Sequence, residues 1–240
     1  MILVRGSDRY STVAREWAGE CCVLIGGGPS LTAWQVAMVA LEHEAGNVRC
    51  IVVNDAYLLA PWADVCYAAD SRWHGWHAEG IDKPLIGLTA AQVRARWASF
   101  KGQKCSIQSS VGNIADDAVH MLRNVHFPDN GFGLSNAPSS LVTGKHGGYQ
   151  ALNLAVLAGA KNIILLGYDG KPAADGTSHF HGEHPHPSRK SEFPMYRQSF
   201  APAVRPLRDF GVTVINASPG SAITAFPKMR IEDALAMEVA

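Results

Sequence analysis

The sequence carries no surplus charge. Its 21 basic and 21 acidic side chains cancel over 240 residues, and charged residues make up only 18% of the chain. Proteins that coat nucleic acid draw non-specific affinity from excess Lys and Arg facing phosphates, so this balance argues against a broad nucleic-acid surface. No run of about 18 apolar residues occurs, so no membrane span is expected. The N-terminus, MILVRGSDRY, lacks the apolar stretch and small-residue cleavage site of a secretory leader. Together these absences predict a cytoplasmic chain. Cysteine pairs of the C-x-x-C type are missing as well. Cys21, Cys22, Cys50, Cys66 and Cys105 sit in or beside apolar runs, which predicts reduced, buried thiols. Internal repeats and low-complexity tracts are absent too.

What is present is 47% hydrophobic residues spread along the chain, which suits a core with strands covered on both faces. Short apolar runs alternate with helix-length segments, the pattern of βαβ units in a mostly parallel sheet. The reading is α/β and Rossmann-like, with helices flanking the sheet and residues 1–240 forming one domain. Strands are expected at Cys22–Ile25, Val48–Val53, Val65–Ala68, Pro84–Leu88, Cys105–Gln108, Val125–Phe127, Asn162–Leu166 and Val212–Ile215. Helices are expected at Leu31–His43, Ala90–Phe100, Gly147–Gly159 and Met195–Phe210, with a last one from Ile231. Several strands stop at Gly or polar residues: Gly26, Asn54, Asp70 and Gly167. In open α/β sheets ligands bind at the carboxyl ends of strands, so these stops mark one rim as the site.

The first stop, Gly26-Gly27-Gly28-Pro29-Ser30, lies between a strand and a helix. Unblocked backbone N–H groups and the positive helix end suit a phosphate there, and a tight turn without a ligand would need the same glycines. Ser30 is expected to cap the helix. The fingerprint G-x-x-x-x-G-K-[ST] is absent because no Lys follows, and G-x-G-x-x-G would need a Gly where Leu31 stands. Asn54 offers a donor and an acceptor for a ribose or base edge, or else begins a turn. Asp70 ends the third strand in the same way, ahead of the aromatic segment Arg72–His77.

From Gly170 to about Glu192 the sequence is rich in Gly, Pro, His and Ser and too long for a bland connection, and four of the ten histidines crowd into Ser178–Pro187. Histidine exchanges protons near neutral pH and also ligates metals, while a biased surface loop would need neither property. The spacing H-x-H-x-x-H-x-H in a Pro-broken loop matches no standard metal site. No D-x-D follows a strand, since Tyr168-Asp169-Gly170 offers a single carboxylate. No resident metal and no cofactor are therefore expected.

The order of Gly26–Leu31, Asn54, Gly147–Gly159, Ile163–Asp169, Ser178–His184 and Asn216–Phe226 resembles the Campylobacter-type bacterial sialyltransferases. It resembles equally a related domain of archaeal hydroxymethylpterin pyrophosphokinases and of phage proteins, and it covers residues 22–230. The resemblance implies a metal-independent transferase that takes a sugar from a nucleotide donor with a His general base. It would have Gly26, Gly28, Pro29 and Ser30 at the phosphate or ribose, Asn54 beside the nucleotide, and Gly147-Gly148 against the base. His184 or His179 would deprotonate the acceptor hydroxyl. Gly27 stands where the sialyltransferases have Asn, and the extra histidines have no counterpart in them.

The reading that follows is a nucleotide-dependent transferase, most concretely a glycosyltransferase with a small-molecule nucleotide donor. Asp169 would orient the histidine or bind the sugar, and Tyr168 would stabilise the departing phosphate. One alternative is Mg²⁺-dependent pyrophosphoryl transfer from ATP, recruiting Asp70, Asp169 and Asp175. Another is a non-catalytic nucleotide-binding phage protein. The sequence names neither donor nor acceptor, and it leaves open a homo-oligomer.

Overall fold

The computed structural model describes residues 1–107, 114, 116–125, 133–182 and 192–239. The chain begins with a small antiparallel pair, β1 (Leu3–Arg5) and β2 (Ser11–Val13). Next comes β3 (Cys21–Ile25), whose five residues are all buried, as a strand covered on both faces requires. Helix α1 (Ala33–Glu44) starts at a reciprocal cap: Thr32 Oγ1 accepts from Gln35 N–H, and Gln35 Oε1 accepts from Thr32 N–H. Ser30 is thus not the cap.

Strand β4 (Val48–Val53) has the expected bounds. It is followed by a 3-10 turn Asn54–Leu58, β5 (Val65–Tyr67) and α2 (Ser71–Glu79), which Asp70 caps. Pro84–Leu88 is not a strand. Pro84–Ile86 forms a 3-10 turn that Gly87 closes at φ +68°, and only Lys83 and Leu88 pair. Pro has no N–H for a ladder and Gly favours the turn.

Helix α3 (Ala90–Ser99) leads to β6 (Gln103–Ile107) and β7 (Val119–Val125). Of the strand expected at Val125–Phe127, Val125 is the last residue of β7, which starts at Val119, and residues 126 and 127 lie outside the described residues. Then come β8 (Ser140–Val142), α4 (Gly147–Ala158) and β9 (Asn162–Leu166). Gly159 ends α4 at φ +102°.

The helix expected over Met195–Phe210 is broken. α5 (Phe193–Ser199), a 3-10 turn Ala201–Ala203 and α6 (Val204–Asp209) replace it, because Pro202 cannot donate to Gln198 and its ring crowds that carbonyl. Pro206 sits in the first turn of α6, where Pro is tolerated. Strand β10 (Thr213–Asn216) and α7 (Ile231–Val239) complete the described elements.

Eight strands form one parallel sheet in the order β10-β9-β3-β4-β5-β6-β7-β8. Apolar layers cover both faces. Leu152, Leu154, Phe200 and Leu207 of α4 to α6 pack with β1 and β2 on one face, and Val36, Val39, Trp73, Val93, Trp97 and Leu235 pack on the other. All five cysteines are buried and reduced in these layers. Among the described residues, no helix is long and apolar enough to cross a membrane.

Candidate active site

The strand order reverses at β3: successive strands β4 to β8 add on one side of it, and β9 and β10 add on the other. The helix after β3 packs on one face, and the chain after β9 packs on the opposite face. A crevice is expected where neighbouring strands send their connections apart. At this point the two chain turns touch. Gly26 N–H donates to Leu166 O at 2.7 Å and Gly28 N–H to Gly167 O at 2.9 Å. A Cβ on Gly26 would lie 2.8 Å from Gly167 O, and one on Gly167 would lie 2.7 Å from Gly26 O. Both positions therefore need glycine, Gly167 also for its φ of +70°.

A cavity of about 400 Å³ opens above this contact. It brings together Gly26, Gly27, Gly28 and Pro29 with Asn54 and Asp70 from the next two strand ends. Gly147 and Gly148 line it at the start of α4, and Tyr168, Asp169 and His179 line it from the β9 side. Of the residues singled out in the sequence, Ser30 lies beside the cavity against the Asp169 carboxyl, and His184 lies outside the described residues. Lys145, His146 and Tyr196, which no sequence signal marked, also line the cavity, as does His181 of the histidine cluster.

The glycine turn is less open to an anion than its sequence suggests, because two of its N–H groups donate to the β9 end. The Asp169 carboxyl also fills the space beside Gly28, where a Cβ would fall 1.9 Å from Oδ2. Burial raises the Asp169 carboxyl, and the nearby Ser30 and the charge of Lys171 act against it. The turn that presents Asp169 is held from β10. Tyr168 N–H donates to Ser218 Oγ at 2.7 Å, Ser221 Oγ–H to Tyr168 O at 2.7 Å, and Asn216 Nδ2 to Ser221 Oγ at 2.9 Å. The Asn216–Ser221 segment therefore acts as scaffolding for this turn. Tyr168 is itself committed: its hydroxyl donates to Gly148 O at 3.2 Å, and burial pushes its phenol up.

The other side of the cavity is the start of α4. Helix-starting N–H groups have no intrahelical acceptor, and the positive end of the helix dipole lies there. Gly148 lets α4 approach closely, since a Cβ there would fall 2.8 Å from the Tyr168 ring. His146 caps the helix, with Nδ1 accepting Tyr149 N–H at 3.3 Å. Its Nε2–H donates to Ser199 Oγ at 2.8 Å, and Ser199 donates onward to Tyr196 O at 2.7 Å. Burial pushes this imidazole down to about 3, so both ring nitrogens serve as structural partners.

Two backbone outliers sit on the same cavity. Asn54 (φ +52°) and Lys145 (φ +65°) are the only non-glycine residues with positive φ among the described residues, and both line it. Left-handed non-glycine backbone costs about 1–3 kcal/mol and clusters at functional sites. Asp70 has a structural task beside its place on the rim: it accepts from Arg72 N–H and pairs with Arg72 Nη2 at 2.7 Å. Among the described residues no group of three or more His, Cys, Asp or Glu converges to hold a metal. Compared with known protein families, curated proteins and solved structures, the chain matches none.

Proposed function

We propose that this chain is a nucleotide-dependent transferase, most concretely a glycosyltransferase that takes a sugar nucleotide without a metal. The observation that carries the reading is the cavity at the β3–β9 reversal, which joins a helix start, a buried carboxyl and the histidine segment in one volume. Its size falls within the range of small-molecule sites, about 300–1,000 Å³. The α4 start and Lys145 favour the anionic part of a donor. Asn54 and Asp169 suit hydroxyls, Asp169 as an acceptor. A histidine of the 178–184 segment would take the acceptor proton. The five buried cysteines, none of them in a disulfide, fit a reducing, cytoplasmic setting.

A melting-temperature panel with nucleoside mono-, di- and triphosphates and sugar nucleotides tests this. Ligand at 100-fold over its dissociation constant stabilises by about 2.7 kcal/mol. The expected result is a shift with a sugar nucleotide that survives EDTA, with transfer to a sugar acceptor detectable by mass spectrometry. A shift only with ATP and Mg²⁺, lost in EDTA, would replace this reading with pyrophosphoryl transfer. Tight binding without any product would leave a nucleotide-binding protein.

A further inference from the structure

Asp55 follows Asn54 at the end of β4 and is wholly buried. A carboxylate in such a position is stable only when charge and hydrogen-bond donors surround it. Lys83 Nζ lies 2.6 Å from Oδ1, and Trp73 Nε1–H donates to Oδ2 at 3.0 Å. His77 Nε2 stands 3.3 Å from Oδ1, and His181 Nε2 stands 3.6 Å from Oδ2. His77 Nδ1 is held at 2.7 Å by the hydroxyl of Tyr57, whose phenol burial pushes up so that it keeps its proton. Of these neighbours His181 is the one that also lines the cavity. Its ring is parallel to that of His179, with centroids 5.2 Å apart.

We propose that His181 is the proton-transferring group of the cavity and that Asp55 is its positioning residue, with Lys83 and Trp73 fixing the carboxylate. The proposal deepens the transferase reading and rests on it for the chemistry. The acceptor hydroxyl would give its proton to His181 as its oxygen bonds to the transferred sugar carbon. The bond from that carbon to the donor phosphate would break with its electron pair on the phosphate oxygen. The imidazolium, facing Asp55, would release the proton to solvent after the products leave.

The electrostatics agree with this geometry. Burial alone would raise the Asp55 carboxyl, but the charge of His181, then the hydrogen bond and charge of His77 and the charge of Lys83, outweigh it and hold it well below the usual carboxylate range. The interaction is mutual, so ionised Asp55 favours protonated His181. Among the described residues, the titratable groups placed against His181 include Asp55 from the end of β4 and His179 from its own segment, with Lys83 and His77 behind Asp55.

The test is an NMR titration of the imidazoles in the full ligand-free chain, with His181 assigned by its loss in His181→Phe. In the wild type, neutral His181 should carry its proton on Nε2, toward Asp55, and ¹⁵N shifts showing an Nδ1–H tautomer would overturn the proposal. Asp55→Asn should lower the His181 midpoint by about one pH unit, and Lys83→Met should raise it. Unmoved midpoints, or both variants shifting the same way, would also overturn it. The wild-type tautomer decides even where Asp55→Asn fails to fold. These readouts need no ligand, so they stand apart from whether any nucleotide binds. Once transfer is measurable, His181→Phe should lower turnover about 10²–10⁴-fold while nucleotide still shifts the melting temperature. Retained turnover would remove His181 from the chemistry.

Discussion

The Asp169 carboxylate occupies the space in which a side chain at Gly28 would begin, with Oδ2 falling 1.9 Å from a Cβ at that position. Gly167 O would lie 2.5 Å from the same Cβ. At Gly27 the nearest atoms, on His179 and His181, would lie 3.7 Å away, an ordinary contact. Adjacent glycines therefore differ in kind: Gly28 is required by packing, and Gly27 is spare.

Gly28→Ala should consequently lower the melting temperature by roughly 2–12 °C, as overpacking costs about 1–3 kcal/mol and each kcal/mol shifts a domain of this size by about 2–4 °C. Gly27→Ala should stay within about 1 °C of the wild type. Differential scanning calorimetry of the two variants checks the contrast, and equal losses would contradict it.

Asp169 should destabilise the fold at neutral pH. Its folded carboxyl is raised above the ordinary value of 3.8, mainly by burial. Between those two values the folded chain holds a proton that the unfolded chain has released. The stability this contributes is complete below the ordinary value and is lost as pH rises through the raised one. Asp169→Asn should accordingly melt above the wild type at pH 7, and the gap should close toward pH 4. A gap that does not change with pH would argue against a strained, ionised carboxyl.

His146 gives the opposite pH dependence. The unfolded chain takes up its proton near 6.5, whereas the folded imidazole, pushed down by burial, does so only near 3. Its contribution is present above pH 6.5 and is lost as pH falls toward 3. His146→Asn preserves a side chain that can cap α4 and removes the titration. The advantage of the wild type over this variant, read as melting temperature at pH 7.5 and pH 5, should shrink at the lower pH.

Asn54 combines a left-handed backbone with a side chain in the cavity. Asn54→Gly should keep the melting temperature within about 1 °C and weaken the shift produced by bound nucleotide. Asn54→Val should cost about 1–3 kcal/mol by forcing a β-branched residue into positive φ. Loss of stability in both variants would make Asn54 a packing residue alone.

The architecture was legible where the chemistry is local. CVLI, VRCIVV and NIILL read as buried parallel strands because all their residues but Arg49 and Asn162 are apolar, and Gly or polar residues marked their ends. Those same ends announced the rim on which Gly26, Asn54, Gly147 and Asp169 meet. Three-residue strands such as β8 gave no period to read, and the effect of Pro202 on a helical pattern was missed. What only the tertiary structure decided is which polar groups are already committed. The turn at Gly26–Ser30 looked like an open anion cradle, but its N–H groups at Gly26 and Gly28 donate to the end of β9, some 140 residues along the chain. Lys83 drew no attention in the sequence, where Pro84–Leu88 was expected to be a strand, and the fold buries it against Asp55. Sequence sets each residue's capacity to donate, accept or carry charge, and only packing brings together the distant partners that use it.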